Sequence, residues 1–200
     1  MRSLLTSRPA RFAVFLLCLT PVALLVWRFL HDALGANPVE AITHTTGDWI
    51  LRFLLLSLAI TPLRRLLVWP DLIRYRRMLG LYAFFYACLH FLTWAGFDHT
   101  FDWRPMLADF YKRRFITVGI AGLVLMLPLA FTSTKGWIRR LGKRWQLLHR
   151  LVYLIAALGV IHYYWLVKSD VRLPLMYGAI LVVLLATRWR GRITKSVMVE

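Results

Sequence analysis

Apolar stretches alternate with short basic clusters along the whole chain. Six stretches are candidates to cross a bilayer: Phe12–Leu30, Trp49–Leu63, Met78–Phe97, Phe115–Phe131, Leu147–Val167 and Leu173–Trp189. A helix spanning a hydrocarbon core of about 30 Å needs about 20 residues, and the third, fourth and fifth stretches meet that length best. The second has only 11 uncharged residues between Arg52 and Arg64, and the sixth has 15 between Arg172 and Arg188. The pattern predicts an all-α integral membrane protein, a six-helix transmembrane bundle forming one domain over residues 1–200. No linker-like low-complexity stretch and no repeat of 20–50 residues interrupts it.

Composition and charge sharpen this reading. Sixty per cent of residues are hydrophobic and mean hydropathy is +0.60, more apolar side chain than a soluble domain of this size can bury. The net charge of +17 would suit nucleic acid, but the basic residues sit in the gaps between apolar stretches, where they encode topology. With the N-terminus inside, 18 of the 26 Lys and Arg fall on the cytoplasmic side. They are Arg2, Arg8 and Arg11, the Arg64–Arg77 and Lys135–Arg150 loops and the Arg188–Lys195 tail. The positive-inside rule then places both termini in the cytoplasm and the mixed-charge connection Asp98–Arg114 outside. Phe12–Leu30 is longer than a usual signal-peptide core and is expected to remain as the first span.

The chemistry is expected at histidines inside the apolar stretches, because ionisable groups at membrane depth are costly and need a partner. His90 lies 13 residues beyond Arg77 and His162 lies 12 beyond Arg150, on stretches that run the same way. At about 1.5 Å per residue, both reach a similar depth in the outer half of the bilayer. Two imidazoles at one level on neighbouring parallel helices suit the axial positions of one haem iron. His149 lies 13 residues before His162, about 20 Å lower on a straight helix and roughly 140° around it. It is either a ligand of a second, inner haem or an interfacial side chain. The matching level of the third stretch offers only Tyr75, Arg76 and Arg77. His31, His44 and His99 read as solvated loop residues near the outer surface.

Other chemistries find no support. Cys18 and Cys88 form no CxxC or CxxCH pattern, which removes covalent haem and zinc. No dinucleotide fingerprint or P-loop is present, and no catalytic residue is expected. Eight tryptophans cluster near stretch ends as aromatic belts; Trp94 and Trp165 are close enough to a histidine to pack on porphyrin. Arg52, Arg113, Arg114 and Lys168 are placed to meet propionates.

The segments LGANPVE at 34–40, HTTGDW at 44–49, TPLRR at 61–65, RRMLGLYAFFYACLH at 76–90, TSTKGW at 132–137 and WQLLHRLVYLIAALGVIHYYW at 145–165 resemble the MsrQ (YedZ) family. The resemblance runs through nearly the whole chain. It implies a ferric-reductase-like transmembrane domain in the bacterial inner membrane, holding one or two b-type haems, with His90, His149 and His162 at the family's histidine positions. It also implies FMN, whose site no motif here fixes, although the GANPVE loop and the basic inner loops are possible sites. The expected function is electron transfer from the quinone pool or a cytosolic flavin reductase to a periplasmic molybdopterin methionine-sulfoxide reductase, MsrP. The chain would be an electron-transfer subunit, with methionine-sulfoxide chemistry left to the partner. Asp98, His99, Asp102 and Arg104 are expected to form its docking face. The alternatives are a ferric-reductase-like haem protein with another acceptor, a proton-coupled transporter using His90 and His162 as a relay, or a membrane anchor whose histidines merely pack.

Overall fold

A computed structural model describes residues 7–197, with side chains through Arg188. Arg2, the indole of Trp189 and the basic side chains of Arg190, Arg192 and Lys195 lie outside the described residues. The chain forms α1 (Arg8–Leu30), α2 (Pro38–Leu66), α3 (Ile73–Thr93), α4 (Trp103–Lys112), α5 (Arg114–Phe131), α6 (Lys135–Leu141), α7 (Lys143–Leu148), α8 (Leu151–Leu166) and α9 (Arg172–Val197). A π-helical turn, Trp94–Asp98, continues α3. Among the described residues, five segments are long and apolar enough to cross a membrane: α1, α2, Pro70–Asp98, α5 and Lys143–Leu166.

Two expectations are corrected. The second stretch is no weak span: α2 has 29 residues and starts at Pro38 rather than Trp49. Asn37 caps it, accepting from the Glu40 amide at 3.2 Å while its own amide donates to the Glu40 carboxylate at 3.0 Å. Charged residues are carried inside the helix as i,i+4 pairs, His44 with Glu40 at 3.7 Å and Arg52 with Asp48 at 3.3 Å. The fifth stretch is not one straight helix. It breaks at His149–Arg150, where short-range bonds such as Arg150 N–H to Leu147 O (3.1 Å) replace the α ladder. The angle of 140° between His149 and His162 therefore does not apply.

Two helix pairs make the centre, α2 with α3 and α5 with α8. α3 also packs on α5, and α2 on α8 and α9, which closes a four-helix ring. The apolar core follows the same two seams. Phe53, Leu54, Leu79, Ala83 and Met126 fill one side, and Leu51, Leu55, Leu58 and Ala156 the other. Large apolar side chains also face outward, Leu17 and Val182 among them, as a lipid-facing surface requires. α9 is tied on by Arg188, which donates to the Tyr153 hydroxyl (2.5 Å), the Leu58 carbonyl (2.6 Å) and the Thr61 hydroxyl (3.2 Å).

Candidate functional site

Two cavities lie along the axis of this ring. The first, about 540 Å³, is bounded by residues between 43 and 54 of α2, 87 and 91 of α3, 94 and 99 of the π-helical turn and its end, 115 and 126 of α5 and 155 and 166 of α8, with Asp109 and Arg113 beside them. The second, about 410 Å³, is bounded by Leu54 and Ser57, Ile73–Phe84, Met126–Ser133 and Trp145–Ile155. Leu54, Met126 and Ile155 border both and form the partition. Going from the second cavity to the first, residue numbers rise along α3 and α8 and fall along α2 and α5, so α3 and α8 run parallel, as expected.

His90 and His162 meet in the first cavity, with ring centroids 6.0 Å apart and planes at 84°. Two imidazoles holding one metal through Nε2, at about 2.0–2.1 Å each, have centroids about 6 Å apart. The helices that carry them pack mainly on α2 and α5 rather than on each other, and the imidazoles face one another across the opening.

Backbone carbonyls fix the tautomers. His90 Nδ1 lies 3.0 Å from Thr43 O, and His162 Nδ1 lies 2.6 Å from Phe115 O. A carbonyl only accepts, so each Nδ1 carries the proton and each Nε2 keeps its lone pair for a ligand, the usual outer arrangement of a metal-binding histidine. Both seats are built alike. A carbonyl holds the ring, and a glycine four residues on leaves room for it. A Cβ at Gly47 would stand 3.2 Å from the His90 ring, and one at Gly119 would stand 2.7 Å from His162 Nδ1. Carbonyl and histidine are 47 residues apart in both cases. Each member of the second seat follows its counterpart in the first by 72 residues.

His149 lies in the second cavity, in the turn between α7 and α8. Trp145 stacks on it at 3.9 Å, and its Nδ1 lies 3.1 Å from Trp145 O. Its Nε2 is buried with no hydrogen-bond partner among the described residues. No second imidazole borders this cavity; Arg76, Arg77 and Arg150 do. Arg77 holds the position 72 residues before His149.

Several other expectations change. His44 is on α2 and borders the first cavity. His99 is not a solvated loop residue: 11% exposed, it pairs with Asp109 at 3.3 Å and lies edge-on to Trp94 at 4.9 Å. The π-helical turn, followed by left-handed Thr100 and Phe101 (φ +48° and +59°), folds it back over the cavity mouth. Arg52 and Arg113 are engaged by Asp48 and Asp109, and of the four proposed propionate partners only Arg113 borders the cavity. Trp94 borders it too, whereas Trp165 faces outward. Asp98 and His99 border the mouth, while Asp102 caps α4 and Arg104 lies over Trp103. Sequence reasoning passed over Thr46, Gly47 and Gly119. The repeated carbonyl–glycine–histidine spacing was the signal available.

Comparison with known proteins agrees with the geometry. Residues 46–160 match the family described as ferric reductase like transmembrane component. The chain is 58% identical over 186 residues to a protein of Herminiimonas arsenicoxydans, covering 90% of this chain and 85% of that one. It is 51% identical to one from Caulobacter vibrioides (92% and 88% covered) and 55% identical to one from Rhodospirillum rubrum (91% and 88%). All three are named protein-methionine-sulfoxide reductase heme-binding subunit MsrQ. This chain belongs to the MsrQ family. His90, His149 and His162 of this MsrQ-family chain thus border the two cavities of a ferric-reductase-like membrane bundle. No solved structure matches it.

Proposed function

We propose that the chain is the b-type cytochrome subunit of a periplasmic methionine-sulfoxide reductase system, holding haem in the outer cavity between His90 and His162. The observation that carries this is the facing imidazole pair at 6.0 Å, with both Nδ1 protons given to carbonyls. The glycine seats support the fit, because a methyl group at Gly119 would occupy the place of the His162 ring. Bound there, haem supplies one-electron chemistry at a potential set by ligands and dry surroundings. The chain's own residues fix the axial nitrogens, exclude water with an apolar wall and present Asp98 and His99 at the mouth.

The inner cavity takes a second planar group. His149, its Nε2 buried without a hydrogen-bond partner among the described residues, would hold that group if it is a second haem; Arg76, Arg77 and Arg150 would suit the phosphate if it is FMN. In this reading the protein is a single domain of six spans in the bacterial inner membrane, α9 being the sixth, with both termini cytoplasmic. Electrons enter on the inner side from the quinone pool or a cytosolic flavin reductase and leave at the outer mouth to MsrP. Ferric iron as acceptor would use the same site, and MsrP is favoured by the names of the relatives. The relay-transporter reading lacks a continuous polar path, because Leu54, Met126 and Ile155 stand between the cavities.

The test is a reduced-minus-oxidised spectrum of purified protein, with haem and flavin quantified, for wild type and His162→Ala. A b-type spectrum lost in the mutant, or halved where the inner group is a second haem, is expected, with the inner group retained. Colourless wild-type protein from haem-replete cells would overturn the reading.

A further inference from the structure

Of the differences between the two seats, one places a side-chain hydroxyl against an imidazole nitrogen. Three residues after the first carbonyl stands Thr46; three residues after the second stands Val118. Thr46 is 1% exposed, and its Oγ lies 3.3 Å from His90 Nδ1. Its own proton goes to the α2 backbone, with Ile42 O at 2.8 Å and Thr43 O at 3.0 Å. The hydroxyl oxygen is thereby left to accept from the Nδ1–H that Thr43 O already shares. Val118 borders the same cavity and has no polar atom to offer the second seat. Among the described residues, the His162 proton therefore relies on Phe115 O alone.

From this asymmetry we propose that Thr46 is a positioning residue that polarises the His90 imidazole. It makes the two axial nitrogens unequal and holds the outer site at a lower reduction potential than two carbonyl-only seats would give. The physical basis is that an acceptor on Nδ1–H raises electron density at Nε2 and favours the more positive iron state. A burial argument supports the role. A hydroxyl serving only the helix would satisfy itself as well facing lipid through its i−4 carbonyl, yet this one is turned inward onto a ligand ring. The proposal rests on the haem reading of the outer cavity.

The experiment is a potentiometric titration of purified protein in nanodiscs, following the haem band, for wild type, Thr46→Val, Thr46→Ser and Val118→Thr. Thr46→Val removes the hydroxyl at nearly constant shape and should raise the midpoint potential while haem content stays at the wild-type level. Thr46→Ser restores the hydroxyl and should return the potential to wild type. Val118→Thr adds the hydroxyl to the second seat and should lower it. An unchanged potential in Thr46→Val with haem retained would overturn the proposal, as would equal shifts in Thr46→Val and Thr46→Ser, which would mark a packing effect. Should Thr46→Val fail to assemble, the other two variants decide: a Val118→Thr potential that does not fall overturns it. Absence of haem from wild type instead sinks the reading on which it rests.

Discussion

Gly119 shows how little freedom the imidazole seats have. A methyl group there would press on His162 Nδ1 at 2.7 Å and on Cε1 at 2.9 Å, too close for any contact to survive. The ring is held by Phe115 O on one side and faces His90 on the other, so relief means losing one of those contacts. Overpacking of this kind costs about 1–3 kcal/mol, about one to two orders of magnitude in affinity. Gly119→Ala should weaken haem binding to that extent, read by titrating haem into apoprotein. Gly47→Ala, with its nearest approach at 3.2 Å, should cost less; equal losses would show that the seats are softer than their geometry. That His90 and His162 meet at one level was legible in the sequence, because near-equal distance from a flanking arginine is a statement about depth. Their seats were not, because α2 and α5 supply them, and which residue of one helix touches which of another is not encoded in hydropathy.

At the scale of elements, α1 is held by tyrosines rather than by a broad apolar seam. Its ladder is interrupted at Pro21, which has no N–H to donate. The Tyr86 hydroxyl enters there, accepting from Val22 N–H at 3.1 Å and donating to Cys18 O at 3.0 Å. Tyr82 donates to Phe15 O at 2.8 Å one turn away. Tyr86 is 1% exposed, so its loss removes two hydrogen bonds at a helical step that water does not reach. Tyr86→Phe should destabilise the protein by about 1–3 kcal/mol, seen as a lower unfolding midpoint in detergent with the haem spectrum unchanged. Loss of haem in that variant would mean that α1 shapes the cavity directly. The helices were legible as apolar stretches, but two of their boundaries were not. α2 begins well before its charge-free part because Glu40, Asp48 and Arg52 are satisfied within the helix or by Tyr177. The break at His149–Arg150 leaves no Pro or Gly in the sequence to announce it.

Over the whole molecule, the parallel run of α3 and α8 stacks one cavity on the other, and the partition of Leu54, Met126 and Ile155 keeps them chemically separate. The two levels were legible from His149 and His162 lying 13 residues apart. That the inner level lacks a second imidazole was legible too, but its alternative equipment was not: arginines near a membrane boundary read first as topology signals. In the proposed route the inner group is the entry point and the outer one the exit, and this separates two kinds of reduction. His149→Ala removes an imidazole that touches neither His90 nor His162 in the structure and whose ring stacks on Trp145 instead. The outer haem band and its response to dithionite, a small reductant that reaches either side, should then match wild type. Reduction of the same band by a quinol or a reduced flavin added on the inner side should slow at least tenfold, because electrons lose their intermediate stop. If His149→Ala bleaches the outer band as fully as His162→Ala does, the cavities are not independent and the two-level route fails. If inner-side reduction proceeds at the wild-type rate, His149 is an interfacial residue, and the arginines beside it must hold the inner group alone.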